Sequence, residues 1–337
     1  MKSNGTLVSA VALGAMVALG PAAASAGEMK IGFVTINDSQ HFAASWLAEE
    51  LPKRTGGAIV PKIFPAGQLG TIPRQVEGIQ LGTQEMFLSP PGFFVGINKA
   101  FQAADAPAIF ENGGHQTRTL NHESVRDKFL NLAEGKGVKG LAIWSSGGGS
   151  FATLKPIRTI ADLKGTKIRV LASPMERAMM KAIDVAGTPM DYTEVLNALQ
   201  YKALDGARSA IVVMGPSKFY TVTKYITLEN GSFIPSGMWV SKVWWKKLTA
   251  EQQSIIATAA REATPKIQAK SEEITAMWEH KWATEGGEVI RFAADEQKKL
   301  MDIYRPLGDE ILGKDPAVAP MYELVKAAAK MTAKAAM

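Results

Sequence analysis

Four histidines, no cysteine and a scatter of carboxylates are what this 337-residue chain offers a catalyst. His41, His115, His122 and His280 form no i, i+4 pair and no H-E-x-x-H, the spacing by which two imidazoles on one helix face share a metal. Lack of Cys removes thiolate ligands, thiol nucleophiles and disulfides together. Gly148-Gly149-Ser150-Phe151 lacks the closing glycine of a nucleophile elbow, and neither a P-loop nor G-x-G-x-x-G occurs. Adjacent carboxylates such as Glu49 and Glu50 fall on a helical, solvated face. This inventory weighs against an enzyme and predicts neither metal nor cofactor. Basic and acidic residues are interleaved at a net charge of +6. No block of like charge forms a nucleic-acid arm, so no nucleic-acid partner is expected.

Around these residues stand the segments that must position them. The N-terminus carries Lys2, an apolar run from Leu7 to Leu19, and Ala24-Ser25-Ala26. Those are the basic, apolar and small-x-small parts of an export signal. The run is shorter than the roughly 20 apolar residues that cross a bilayer; a buried helix is the alternative. Residues 1–26 are read as a signal peptide, which places the mature chain in the periplasm and not within the membrane.

Further on, strand and helix signals alternate, which predicts α/β architecture. Strands are expected at 29–35, 58–64, 86–89, 138–145, 151–154, 166–171, 224–228 and 238–241, and an amphipathic helix at 122–134. Ser173-Pro174-Met175-Glu176 and Thr249-Ala250-Glu251-Gln252 have the form of capping boxes. The second opens a helical pattern reaching Trp282, long enough to pack across two lobes. Gly147-Gly148-Gly149 suits a crossing between lobes, or an ordinary tight turn.

Several short segments carry a resemblance. Phe64-Pro65-Ala66-Gly67-Gln68-Leu69-Gly70 and Ile79-Gln80-Leu81-Gly82 come first. Ala161-Asp162-Leu163-Lys164-Gly165-Thr166-Lys167-Ile168-Arg169-Val170 follows, then Pro189-Met190, Glu194, Ala198-Leu199-Gln200, Asp205-Gly206, Lys218-Phe219-Tyr220 and Lys224-Tyr225. In this order, over most of the mature chain, they resemble the TRAP-transporter solute-binding proteins of the DctP type. The resemblance implies a two-lobed periplasmic-binding-protein fold, type II-like, with a long helix crossing both lobes. Lobe I is expected to comprise 27–147 plus 236–275, and lobe II 148–235 plus 276–337. It also implies closure on a small organic carboxylate, without catalysis or cofactor, and delivery to TRAP-type membrane permease subunits. A ligand-sensing partner of a membrane receptor, or a periplasmic enzyme on the same scaffold, are the alternatives.

In that family the Arg of the K-I-R-V segment pairs with the ligand carboxylate; here it is Arg169. A guanidinium presents a planar fork that matches a carboxylate, and the end of a strand ahead of a helix is a usual ligand position in α/β folds. The alternative is a surface Arg169 paired with Asp162 or Glu176. Two departures from the family pattern follow. Its second Arg, in a Gly-x-Arg context upstream, falls on Gly149, and its ligand-bonding Asn becomes Ser209, with Arg208 beside it. Arg208 or Ser209 is expected to compensate, unless Arg208 points outward to Asp205. Loss of the Arg at Gly149 would open room near Phe151 for a bulkier acid. Asn37, Gln40 and His41 after the first strand, and Ser89 at the end of a short one, complete the expected ligand set.

Overall fold

The computed structural model describes residues 27–333; residues 1–26, read above as a signal peptide, lie outside the described residues. Nine strands form one hydrogen-bonded system: β1 (Gly27–Gly32), β2 (Ile59–Phe64), β3 (Met86–Ser89), β4 (Val138–Thr153), β5 (Lys167–Val170), β6 (Ala186–Pro189), β7 (Gly206–Ala210), β8 (Tyr225–Ser241) and β9 (Glu288–Arg291). Their order is β2-β1-β3-β8-β4-β7-β5-β6, with β9 on β8.

The length of β4 and β8 divides this system into two lobes. β3 pairs with the C-terminal part of β8, Met86 opposite Val240 and Ser89 opposite Gly237. β7 pairs with the C-terminal part of β4, Gly149 opposite Ala210 and Thr153 opposite Gly206. The two long strands run antiparallel and serve one lobe at each end. Separate strands expected at 138–145 and 151–154, and at 224–228 and 238–241, are thus two continuous crossings. The register shifts between Ser145 and Gly148, and again between Gly148 and Ser150. Here the three glycines have distinct uses. Gly147 holds φ 115°, where a side chain would be strained. A Cβ on Gly148 would overlap the Asn230 carboxamide, and one on Gly149 the Glu229 and Arg208 side chains.

Helices cover the sheet. Thr249 caps the 35-residue helix Ala250–Thr284 through the expected reciprocal box with Gln252. That helix packs on Ser39–Arg54 and β4 near one end, and on Ile211–Met214 and β9 near the other, so it does cross both lobes. Apolar residues separate into two clusters. One sets Met29, Leu47 and Trp144 against Ile256 and Ile267. The larger joins Phe94, Phe101 and Trp239 to Val170, Met179 and Tyr304. No described helix is long and apolar enough to cross a membrane.

Two expectations are corrected. Helix is confined to Arg126–Leu130 within 122–134, because the His122 ring bonds the Ser124 hydroxyl at 2.8 Å in a local turn and Gly137 ends the segment at φ 89°. Residues 276–337 do not all join the second lobe. The terminal helix Ala319–Thr332 packs on Gly113–Leu120 and Lys99–Asp105, both in the 27–147 stretch. His115 Nε2 lies 2.9 Å from the Ala329 carbonyl there, and Thr119 Oγ1 2.8 Å from Thr332 Oγ1.

Candidate functional site

Where the two lobes face each other, the sheet leaves a cavity. It measures about 410 Å³. Strand ends build the walls. Thr35 and Gln40 follow β1, Ser89 ends β3, Arg169 and Leu171 come from the end of β5, and Ser209 from β7. Ser146 and Ser236 enter from the crossing strands, joined Oγ to Oγ at 2.8 Å. Tyr192 opens the helix Tyr192–Gln200 and donates from its hydroxyl to the Val213 carbonyl at 3.1 Å.

Arg169 dominates the site. It is 1% exposed, and burial lowers its pKa from the usual value. Nε donates to the Met190 carbonyl at 3.1 Å, and the Tyr192 ring centroid lies 5.6 Å from Cζ. Neither Asp162 nor Glu176 pairs with it: Asp162 caps the turn at Arg158 and Thr159, and Glu176 accepts from Arg208. Among the described residues no carboxylate pairs with Arg169. A buried cation without a paired carboxylate is costly, and it sits on a cavity wall.

Strand alternation decides which neighbours share that wall. β5 and β7 are parallel, with Arg169 beside Ala207. Alternate residues share a face, so Ser209 looks the same way and Arg208 the opposite way. Ser209, Ser89, Gln40 and Arg169 of the expected set do line the cavity.

Arg208 does not, and its expected role in holding the ligand is corrected. It is 0% exposed, on the reverse face, donating to Glu176 and Glu229 and to Ser232 Oγ at 2.6 Å. Nor does it reach outward to Asp205. Two carboxylates hold one guanidinium in its charged form against the cost of burial, and its pKa is raised. Gly149 and Phe151 belong to this reverse face and not to the cavity. Phe151 stands opposite Arg208 in the ladder with its ring 6.0 Å from Cζ, and Gly149 leaves the room that the guanidinium fills. The supposed capping box at Ser173 is absorbed into the same network. Ser173 Oγ donates to Asp105 Oδ2 at 2.7 Å, and no side chain caps that helix. Burial pushes Asp105 up to about 7.

Asn37 and His41 likewise miss the cavity. The Asn37 N–H donates to His41 Nδ1 at 3.1 Å, which closes the loop on itself, and the His41 ring meets Phe33 edge-on at 5.4 Å. Between them lies Asp38, which sequence reasoning passed over. Its Oδ1 accepts from the Gln40 and His41 N–H groups at 3.1 and 3.0 Å, capping Ser39–Arg54. Burial pushes it up to about 6, against those hydrogen bonds. Thr35, Ser146, Tyr192 and Ser236 were also missed. The two serines had one usable signal, as each precedes a glycine midway along a crossing strand.

Comparison with known proteins adds an independent line. Residues 32–315 match the family model described as bacterial extracellular solute-binding protein, family 7. The chain is 28% identical over 305 residues to the 2,3-diketo-L-gulonate-binding periplasmic protein of Escherichia coli, covering 90% of this chain and 86% of that one. It is 28% identical over 312 residues to the C4-dicarboxylate-binding periplasmic protein of Rhodobacter capsulatus, covering 91% and 92%. A TRAP periplasmic solute-binding protein from Xanthobacter autotrophicus, solved with bound β-D-galacturonate, superposes with TM-score 0.82 at 27% identity, over 89% of this chain and 99% of that one.

Proposed function

The chain belongs to family 7 of the bacterial extracellular solute-binding proteins, and from that premise we propose that it captures a small organic carboxylate at Arg169 and passes it to a TRAP-type membrane permease. One observation carries the ligand class: a buried guanidinium, free of protein carboxylates, on the wall of an interlobe cavity. The names of the relatives support it, because diketogulonate, C4-dicarboxylates and galacturonate are all organic acids. The family and the signal-like segment 1–26 support permease delivery and residence in the periplasm. Binding without turnover accords with relatives that are binding proteins.

In this account the lobes part about β4 and β8, the ligand carboxylate meets the Arg169 fork, and polar groups of the first lobe close over it. Burial then strengthens the ion pair by lowering the local dielectric. Ligand biases closure only through tighter binding to the shut form. Titration calorimetry of Arg169→Ala against the ligand tests this: the variant should lose roughly 2–5 kcal/mol, the usual cost of removing one partner of a buried charge pair. Unchanged affinity would refute the assignment.

A further inference from the structure

One carboxylate holds the starts of two helices that stand on different lobes. The helix Ile72–Leu81 lies between β2 and β3, and Tyr192–Gln200 between β6 and β7. Asp191 Oδ1 accepts from the Thr193 N–H at 3.1 Å and from the Thr193 hydroxyl at 2.7 Å, capping its own helix. Its Oδ2 accepts from the Ile72 N–H at 2.8 Å, 119 residues away in the chain. The first helix has no local substitute for that partner. Thr71 occupies its cap position without a side-chain cap hydrogen bond, and Pro73 brings no N–H. The first N–H of Ile72–Leu81 is therefore satisfied from the opposite lobe, by an anion at the positive end of the helix dipole.

This bond crosses the mouth of the site. Ile72 and Phe93 line the interlobe cavity and also an adjoining outer groove, which Met190 and Asp191 help to line. Asp191 is not among the residues around the cavity itself. On either side of it in sequence stand the groups that Arg169 touches: Nε donates to the Met190 carbonyl, and Cζ lies 5.6 Å from the Tyr192 ring centroid. β6 leads into this segment, paired with β5 so that Val170 lies beside Pro189. The guanidinium on the cavity wall and the carboxylate at its mouth are thus tied to the same few residues of backbone.

Parting of the lobes would send Asp191 Oδ2 and the Ile72 N–H to water. Their bond stabilises the shut form alone, and a hydrogen bond to a charged group is worth more than a neutral one. A group that acts only in the shut form slows escape and leaves entry into the open form unchanged.

We propose that Asp191 is an interlobe latch, a positioning residue that acts through the Ile72 N–H to hold the shut form and retard release of a captured solute. This rests on capture by lobe closure and goes beyond it, because the residue lies outside the ligand cavity.

Two variants test it. Asp191→Asn keeps one oxygen for the Thr193 cap and sets an amide N–H where Ile72 needs an acceptor. Asp191→Ser keeps a good cap residue that is too short to reach both partners. Stopped-flow kinetics with D-galacturonate, D-gluconate and succinate as probes read the rates. Both variants should release a bound acid at least about threefold faster, a modest share of what a charge-assisted hydrogen bond can contribute, with the association rate unaltered. Spin labels on Glu77→Cys and Asn197→Cys, exposed positions on the two helices of a chain without other cysteines, read the distance between lobes. The short-distance population should shrink in both variants, with or without acid. Loss of a helix cap alone would lower the ligand-free melting temperature and move neither readout. A folded variant with wild-type release and a wild-type distance distribution would overturn the latch. If none of the three acids binds, the carboxylate reading falls and the label distances decide the latch by themselves. A wild-type distribution without a short-distance population would then overturn it.

Discussion

Two arginines, both buried, divide binding from stability. Arg169 faces a cavity without a protein counter-charge; Arg208, on the other side of the same sheet, is locked between Glu176 and Glu229. Their substitutions should therefore fail in opposite ways. Arg169→Ala removes a buried charge that no carboxylate pairs and that only the Met190 carbonyl and the Tyr192 ring hold, so the ligand-free melting temperature should change little while ligand affinity is lost. Arg208→Met strands two buried carboxylates, and breaking such a pair costs about 3–5 kcal/mol. Its melting temperature should fall steeply, while the fraction still folded keeps the wild-type dissociation constant. Calorimetry together with thermal denaturation on both variants checks this crossed pattern. Gly149→Ala belongs with Arg208, since its Cβ would push into the ion pair; it should destabilise without changing specificity. None of this was readable from residue type. Arg208 and Ser209 are neighbours in sequence, and only the strand register, with Arg169 beside Ala207, tells which one sees the ligand.

Among the elements, local signals were legible where they acted locally. Thr249 caps the long helix as its sequence implies, and Thr249→Ala should cost about 1 kcal/mol in chemical denaturation, the usual value of a cap. The equally good pattern at Ser173 failed because tertiary partners outcompete a helix end: Asp105 takes the hydroxyl and Arg208 the glutamate. Gly147-Gly148-Gly149 left a crossing and a tight turn equally open, and the continuity of β4 and β8 through it was not legible. Composition marks the glycines, whereas pairing across the lobes is a long-range property. Helix periodicity at 122–134 likewise yielded to one histidine–serine contact. Alternation of strand and helix was enough for the architecture; the face each side chain takes needed the sheet.

For the molecule as a whole, two buried acids set a pH dependence. Burial pushes Asp38 up to about 6 and Asp105 up to about 7. Both hold protons in the folded chain that the unfolded chain releases near the ordinary carboxylate value. Between about pH 4 and pH 7 the native state therefore binds more protons, and stability falls as pH rises. Asp105 contributes at most roughly 4 kcal/mol to that fall. Toward lower pH the trend reverses, as carboxylates held low by a cation, such as Asp127 by Arg126, are protonated and lose that stabilisation. Ligand-free melting should thus be higher at about pH 5 than at about pH 8, and Asp105→Asn should flatten the difference. Melting that rises across this interval in the wild type would contradict the burial of these groups.

A crystal structure of the mature protein grown with its ligand tests the central claim most directly. Both oxygens of a ligand carboxylate should lie within hydrogen-bond distance of the two terminal nitrogens of Arg169, between lobes closed about β4 and β8. A ligand bound elsewhere, or an Arg169 paired with a protein acid while the ligand is present, would contradict it.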